Sequence, residues 1–294
     1  MKSTCTAAIV ACLCLAPNPV RAQADSHDWA YYGADPASTR YSPLHQIDGT
    51  NLSQLALAWQ WRSPDAAVLE RDDLRLYPIF NRATPLVVNG ILYTSTPLSM
   101  VAALDATTGE QLWSFDPEAW RERNHFSTHR GVAYWSDGEG NDRILFGTAS
   151  AFLYALDAKS GLPDSTFGID GRVDLTDGLD VPVERLEYSL NSPPTICRDV
   201  VVVVSSVGDG HTPEAAPPGD VRGFDVRTGE QLWTFRSVPR AGEFGANTWE
   251  KGSLAAGRRA NAWAVISSDR ELGYVYVPFG GPDNVYYGGE RPGN

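Results

Sequence analysis

Cysteines and histidines are scarce in this 294-residue chain, four and five, and their placement narrows the choice. Cys5, Cys12 and Cys14 all lie within residues 1–24, a stretch expected to be removed, which leaves Cys197 alone in residues 25–294 with no intrachain disulfide to form. A single Cys before the run Val200 to Val204 reads as a small buried hydrophobe rather than a reactive thiol. No Cys-x-x-Cys-His occurs, so no c-type haem is attached through that motif. In Ser-Ser-Val-Gly-Asp (205–209) the carboxylate of Asp209 is an oxygen donor for a hard cation, although Asp209-Gly210 reads equally well as an ordinary turn. The guanidinium of Arg130 can grip a carboxylate through two parallel bonds; taken alone it reads as a surface arginine. Trp263 offers a broad π-face or, as most tryptophans do, fills a core. His125 and His129, each taken singly, read as exposed loop residues.

The elements that must position such groups are announced by a repeat. ALDATTGEQLWSF (103–115), ALDAKSGLPDSTF (155–167) and GFDVRTGEQLWTF (223–235) share aliphatic-Asp-x-x-Thr/Ser-Gly, at intervals of roughly 50 to 70 residues. Asp bonds its own turn backbone and Gly supplies a positive φ, so each copy predicts a hairpin, with the Trp of a complete copy returning to a packed face. A β-rich stretch precedes every copy: 83–96, 143–154 and 193–207. Two or more strands plus a closing hairpin make a four-stranded blade, which predicts an all-β fold, a β-propeller. Three closing hairpins and the opening strands of another, at 262–279, are fewer than the roughly 4–8 blades that close a ring, so the expectation is the N-terminal part of a longer protein.

Composition agrees with a turn-rich β fold: nine Trp, 27 Gly and 20 Pro. A net charge of −12 argues against nucleic acid or an anionic membrane surface as partner. Residues 1–24 read as a secretory signal peptide, with Lys2 before the apolar run Ala7 to Leu15 and Ala22-Gln23-Ala24 as cleavage site. A periplasmic or secreted mature chain, residues 25–294, is therefore expected, with no transmembrane span because that apolar run is too short.

Several segments occur in an order that resembles the pyrroloquinoline quinone (PQQ) dependent alcohol and glucose dehydrogenases. They are Asp-Trp (28–29), Tyr-Gly (32–33), Arg-Tyr-Ser-Pro-Leu (40–44), Asn-Leu-Ser-Gln-Leu-Ala-Leu-Ala-Trp (51–59), Arg-Gly-Val-Ala-Tyr-Trp (130–135), Ser-Pro-Pro (192–194), Val-Arg-Gly-Phe-Asp (221–225) and Tyr-Tyr-Gly-Gly-Glu-Arg-Pro-Gly (286–293). The resemblance implies an eight-bladed propeller, of which about the first half of the blades is present, with PQQ and Ca²⁺ near the central axis. It implies an enzyme that oxidises an alcohol, polyol or sugar and passes electrons to an external quinone or cytochrome.

For the site, the resemblance implies that Arg130 reaches the quinone, that Trp263 stacks under its plane, and that Ser206 with the Val207-Gly208 backbone lies at its rim. Asn191 stands where relatives often carry a cofactor-bonded threonine. Asp209 is implied as a metal ligand and Asn284 as a second, with Asp283 and Glu290 as rivals. Trp249 is the tryptophan most easily confused with Trp263. Adjacent cysteines that cover the quinone in the methanol-oxidising branch are replaced by Asn124 and His125, so His125, or His129, is expected over that face. Arg82 stands where relatives tend to have Glu or Gln, which reverses a charge. No catalytic base is assigned, because the family's Trp-Asp motif lies downstream of Asn294, and the chain alone is expected to be inactive. The runner-up is a non-catalytic exported β-propeller, an assembly or glycan-binding scaffold.

Overall fold

In a computed structural model, the structure describes residues 28–71, 80–122, 128–179, 182–207, 217–256, 260–281, 289 and 292–293. Strands fall into blades in chain order. After the short β1 (Phe80–Asn81), the first sheet is β2 (Leu86–Val88), β3 (Ile91–Ser95), β4 (Val101–Asp105) and β5 (Gln111–Phe115). After β6 (Thr128–His129), the second is β7 (Ala133–Ser136), β8 (Asp142–Gly147), β9 (Phe152–Asp157) and β10 (Arg172–Asp174). After β11 (Tyr188–Ser189), the third is β12 (Thr195–Cys197) and β13 (Val200–Val204), then, past the short β14 (Ser206–Val207), β15 (Val221–Asp225) and β16 (Gln231–Phe235). A hairpin of β17 (Ser267–Asp269) and β18 (Tyr274–Tyr276) follows. Every four-stranded sheet is an antiparallel meander, the all-β blade that the repeat predicts.

The inner strands are buried on both faces, which explains their unbroken apolar runs. On β13, Val201 and Val203 face the core shared with the second sheet, among Leu145, Leu153 and Phe224. Their neighbours Val202 and Val204 face the other way, toward Ala262 and Ile266. Successive side chains of a strand point to opposite faces, so a run of five valines is what a blade sandwiched between two others requires. A third core, with Leu86, Tyr93, Ile144 and Phe146, joins the first and second sheets. The outer strands β5 and β16 are largely exposed, whereas β7, β12 and β17 contact one another in turn.

The repeated turn works as its residues dictate. Asp105 Oδ1 accepts the N–H groups of Thr107 and Thr108, and Asp225 Oδ1 those of Arg227 and Thr228. Gly161 takes φ of +73° and also lies against the Trp113 ring, where an added Cβ would sit 2.5 Å from ring atoms. Trp113 Nε1–H then donates to the Ala158 carbonyl at 3.1 Å, so one side chain locks the first blade to the second. Trp59 repeats this contact on Gly109 and Ala106. Asp269 makes a fourth such turn, bonding Leu272 N–H ahead of Gly273, with Leu272 in the place of the Thr or Ser of the pattern.

Two arginines, Arg143 and Arg222, are buried between the second and third sheets. Arg143 donates to the carbonyls of Val226 and Arg227 and pairs with Asp164 at 2.7 Å. Arg222, 1% exposed, donates to the carbonyls of Leu175 and Asp177 and to the Tyr188 hydroxyl. Cys197 is buried as expected, and burial pushes its thiol pKa up. Among the described residues no helix is long and apolar enough to cross a membrane. Residues 1–24, the expected signal, lie outside the described residues.

Candidate functional site

The residues just ahead of each blade's first strand line up side by side. Thr84 N–H bonds the Arg130 carbonyl (3.0 Å), and Arg130 N–H bonds the Asn191 carbonyl (3.1 Å). Ser192 Oγ–H in turn donates to the Trp263 carbonyl. Thr84, Arg130, Asn191 and Trp263 thus occupy equivalent places in four successive units, each just ahead of a first strand, β2, β7, β12 or β17. Residues far apart in sequence meet because the repeat returns the chain to the same edge each time.

Their side chains converge. The Arg130 guanidinium lies over the Trp263 ring, 5.2 Å from its centroid, and Nη1–H reaches the Asn191 carbonyl at 3.4 Å. Asn191 Nδ2–H donates to Ser206 Oγ at 2.9 Å, a pair set up by β11 lying antiparallel to β14. Trp263 stays 49% exposed, unlike the docked tryptophans, so one face of its ring is open to a ligand. Among the described residues no carboxylate pairs with Arg130. Burial is the first cause that lowers its pKa, and repulsion from Arg82 the second. A cation held over an indole yet left uncompensated, beside an amide and a hydroxyl, suits a flat anionic ligand.

Four of the residues singled out in the sequence, Arg130, Asn191, Ser206 and Trp263, are therefore brought together. The Val207 backbone pairs with Tyr188 in the adjoining ladder. Gly208, Asp209, His125 and Asn284, with the rivals Asp283 and Glu290, lie outside the described residues, and so does Asn124. Trp249 is elsewhere, bridged to Gly293 and lining a cleft with Phe235 and Phe244 beside β16.

One expectation is corrected. His129 does not lie over the cofactor face; it is 1% exposed and points inward. Its Nε2–H donates to the Gly147 carbonyl and its Nδ1 accepts the Ser95 hydroxyl at 2.7 Å. Burial drives its pKa down to about 4, with the Gly147 bond opposing and the Arg130 charge adding to the fall. It is a neutral bridge beneath Arg130, on the opposite side of the strand. Ser192, which holds the Trp263 backbone, is a positioning group whose motif was visible in Ser-Pro-Pro but whose role was not.

The residues present fit the PQQ that the resemblance implies. An open indole face, an uncompensated guanidinium and a polar rim match a planar tricarboxylate. For a metal, the described residues contain no group of three His, Cys, Asp or Glu, and the candidate ligands Asp209 and Asn284 are outside them.

The chain is also similar to known proteins. Residues 29–294 match the family model described as PQQ: glucose/ethanol/alcohol dehydrogenase, β-propeller domain. Quinoprotein glucose dehydrogenase A of Acinetobacter calcoaceticus is 30% identical over 94% of this chain and 36% of its own length. The dehydrogenase subunit of the quinone-linked alcohol dehydrogenase of Gluconobacter oxydans is 36% identical over 72% of this chain and 25% of its own. The solved quinohemoprotein alcohol dehydrogenase of Pseudomonas putida HK5 superposes with a TM-score of 0.68 at 29% identity, over 87% of this chain and 35% of that one. The chain spans about a third of the length of the curated relatives it matches. By the match over nearly all of its length, this chain belongs to the PQQ-dependent glucose/ethanol/alcohol dehydrogenase family, as part of its β-propeller domain.

Proposed function

We propose that the protein is a PQQ-dependent dehydrogenase acting on the CH–OH group of an alcohol, polyol or sugar, and that this chain supplies one wall of its cofactor pocket. The observation that carries the reading is the Arg130 guanidinium over the half-exposed Trp263 ring, with the Asn191–Ser206 pair beside it. When bound, PQQ supplies the two-electron acceptor. Arg130 grips an anionic or carbonyl oxygen of the ligand, and its pose is fixed by its own backbone bonds to both neighbouring blades. Trp263 provides the stacking floor and is held in turn by Ser192. Asn191, oriented by Ser206, presents a polar rim.

Asp209 and Asn284 are proposed as Ca²⁺ ligands, because oxygen donors suit that ion. His125, Val207 and Gly208 are proposed at the cofactor face. No residue of this chain is assigned as catalytic base. Electrons are proposed to pass on to an external quinone or cytochrome. Export through a signal at residues 1–24, giving a periplasmic or secreted product, completes the reading; N-terminal sequencing beginning near Asp25 supports it, and a mature protein starting at Met1 contradicts it. The experiment for the activity is dye-linked oxidation over a panel of alcohols, polyols and sugars by the full-length protein, with PQQ and Ca²⁺ supplied or withheld. PQQ-dependent turnover of some member is expected, and turnover indifferent to PQQ, or none with any donor, contradicts the proposal.

A further inference from the structure

The fold sets a second guanidinium beside the one used above. In the parallel pair β1–β6, Phe80 stands opposite Thr128 and Asn81 opposite His129. One position further the same register brings Arg82 beside Arg130, just before Thr84 N–H bonds the Arg130 carbonyl. Alternation along the strands separates Asn81 and His129 from Phe80, Arg82 and Arg130. His129 is buried, so its face is the inward one, and Arg82 shares with Arg130 the side on which Arg130 meets Trp263.

Arg82 is exposed and its guanidinium lies over the Phe80 ring, 4.5 Å from the centroid. Stacking on an aromatic ring steadies a cation without neutralising it. Neither Arg82 nor Arg130 has a carboxylate partner among the described residues, although Asp and Glu outnumber Lys and Arg by 36 to 24. Arg82 is itself one of the charges that depress the Arg130 pKa. Two like charges side by side, each braced by a ring and neither matched by an acid, are unfavourable until an anion lies across them.

We propose that Arg82 is a further cofactor-binding residue, which with Arg130 forms a two-cation cradle for the carboxylates of PQQ. The inference rests on the PQQ reading above. Binding relieves the repulsion between the two guanidiniums, so each contributes more in the other's presence than alone. The charge at position 82 thereby sets the affinity and the salt sensitivity of cofactor loading.

The test is titration of the full-length apo-protein with PQQ, read by quinone absorbance and by quenching of tryptophan emission, for wild type, Arg82→Lys, Arg82→Gln and Arg82→Glu. Loss of one charge-assisted bond predicts roughly tenfold or more weakening in Arg82→Gln, with a shallower salt dependence. Arg82→Glu should bind more weakly still, and Arg82→Lys should keep most of the affinity. The PQQ trimethyl ester, which keeps the quinone and loses the carboxylates, should not distinguish wild type from Arg82→Gln. Unfolding midpoints close to wild type exclude misfolding as the cause. Unchanged PQQ affinity in Arg82→Gln while wild type binds well overturns the role of Arg82 and leaves the PQQ reading standing, as does an equal loss with the ester. A wild-type protein that binds no PQQ overturns the reading underneath, and this inference with it.

Discussion

Arg222 and Arg130 both rest on aromatic rings, and they differ in what closes over them. Arg222 lies against Tyr188 and Phe224, with its Nη groups donating to two carbonyls and a hydroxyl inside the interface of the second and third blades. Arg130 lies against Trp263 with one long contact to a carbonyl, at the edge where the blades' first strands meet. The same residue type on the same kind of platform is a clamp in one place and an open binding group in the other. What separates them is the supply of oxygens: the protein furnishes three for Arg222, whereas among the described residues Arg130 meets the Asn191 carbonyl and no carboxylate.

The comparison breaks most readily at Arg222. Arg222→Ala in the full-length protein removes the donor that satisfies the Leu175 and Asp177 carbonyls and leaves a cavity, and should cost on the order of 4 kcal/mol in unfolding free energy. The denaturant midpoint measures it, and the affinity of the remaining folded protein for PQQ should be unaltered.

His129 sharpens the same contrast through pH. Its pKa falls from the ordinary 6.5 to about 4 in the folded state, so the unfolded chain binds the extra proton between those values. Stability is then fully present above pH 6.5, declines as pH falls toward 4, and is flat in this contribution below that, for a total on the order of 3 kcal/mol. Comparing wild type with His129→Asn across that window should show the slope reduced in the variant. An identical slope in both would mean that His129 is not held neutral in the core.

Tryptophans give the next step down. Trp113 docks on Gly161 and donates to Ala158, whereas Trp263 keeps half its surface in water. Trp113→Ala should cost about 2 kcal/mol of stability, part of the full cost of emptying a buried aromatic site, with little effect on ligand binding. Trp263→Ala should change stability by about 0.5 kcal/mol or less, and should weaken PQQ by on the order of 1 kcal/mol beyond the area lost. Thermal scans beside PQQ titrations separate the two.

How much of this could be read from the residues follows from the range of each interaction. The Asp105, Asp157 and Asp225 turns were legible because an Asp side chain and a Gly φ act within five residues. The Asp269 turn was not, because Leu272 stands where the pattern asks for Thr or Ser, although the Asp side chain accepts its N–H in the same way. Of the candidate site, the resemblance pointed to Arg130, Asn191, Ser206 and Trp263, yet their meeting depends on which blade edges adjoin, which no local pattern encodes. His129 reads as a loop residue beside a cofactor motif, but Ser95 and Gly147, from two neighbouring blades, draw it inward. Arg143 and Arg222 sit in strands whose alternation marks them only as buried positions, and their carbonyl partners come from other turns.

The proposed anchor of the cofactor is Arg130, which has no carboxylate partner among the described residues and lies over the half-exposed Trp263. The most direct measurement is PQQ affinity of Arg130→Ala in the full-length protein, by titration of the apo form, beside its unfolding midpoint. The account predicts a loss of about 1.5–3 kcal/mol of binding free energy, a weakening of roughly ten- to a hundredfold, with the midpoint nearly unmoved. Binding at wild-type strength in a folded Arg130→Ala protein would contradict it.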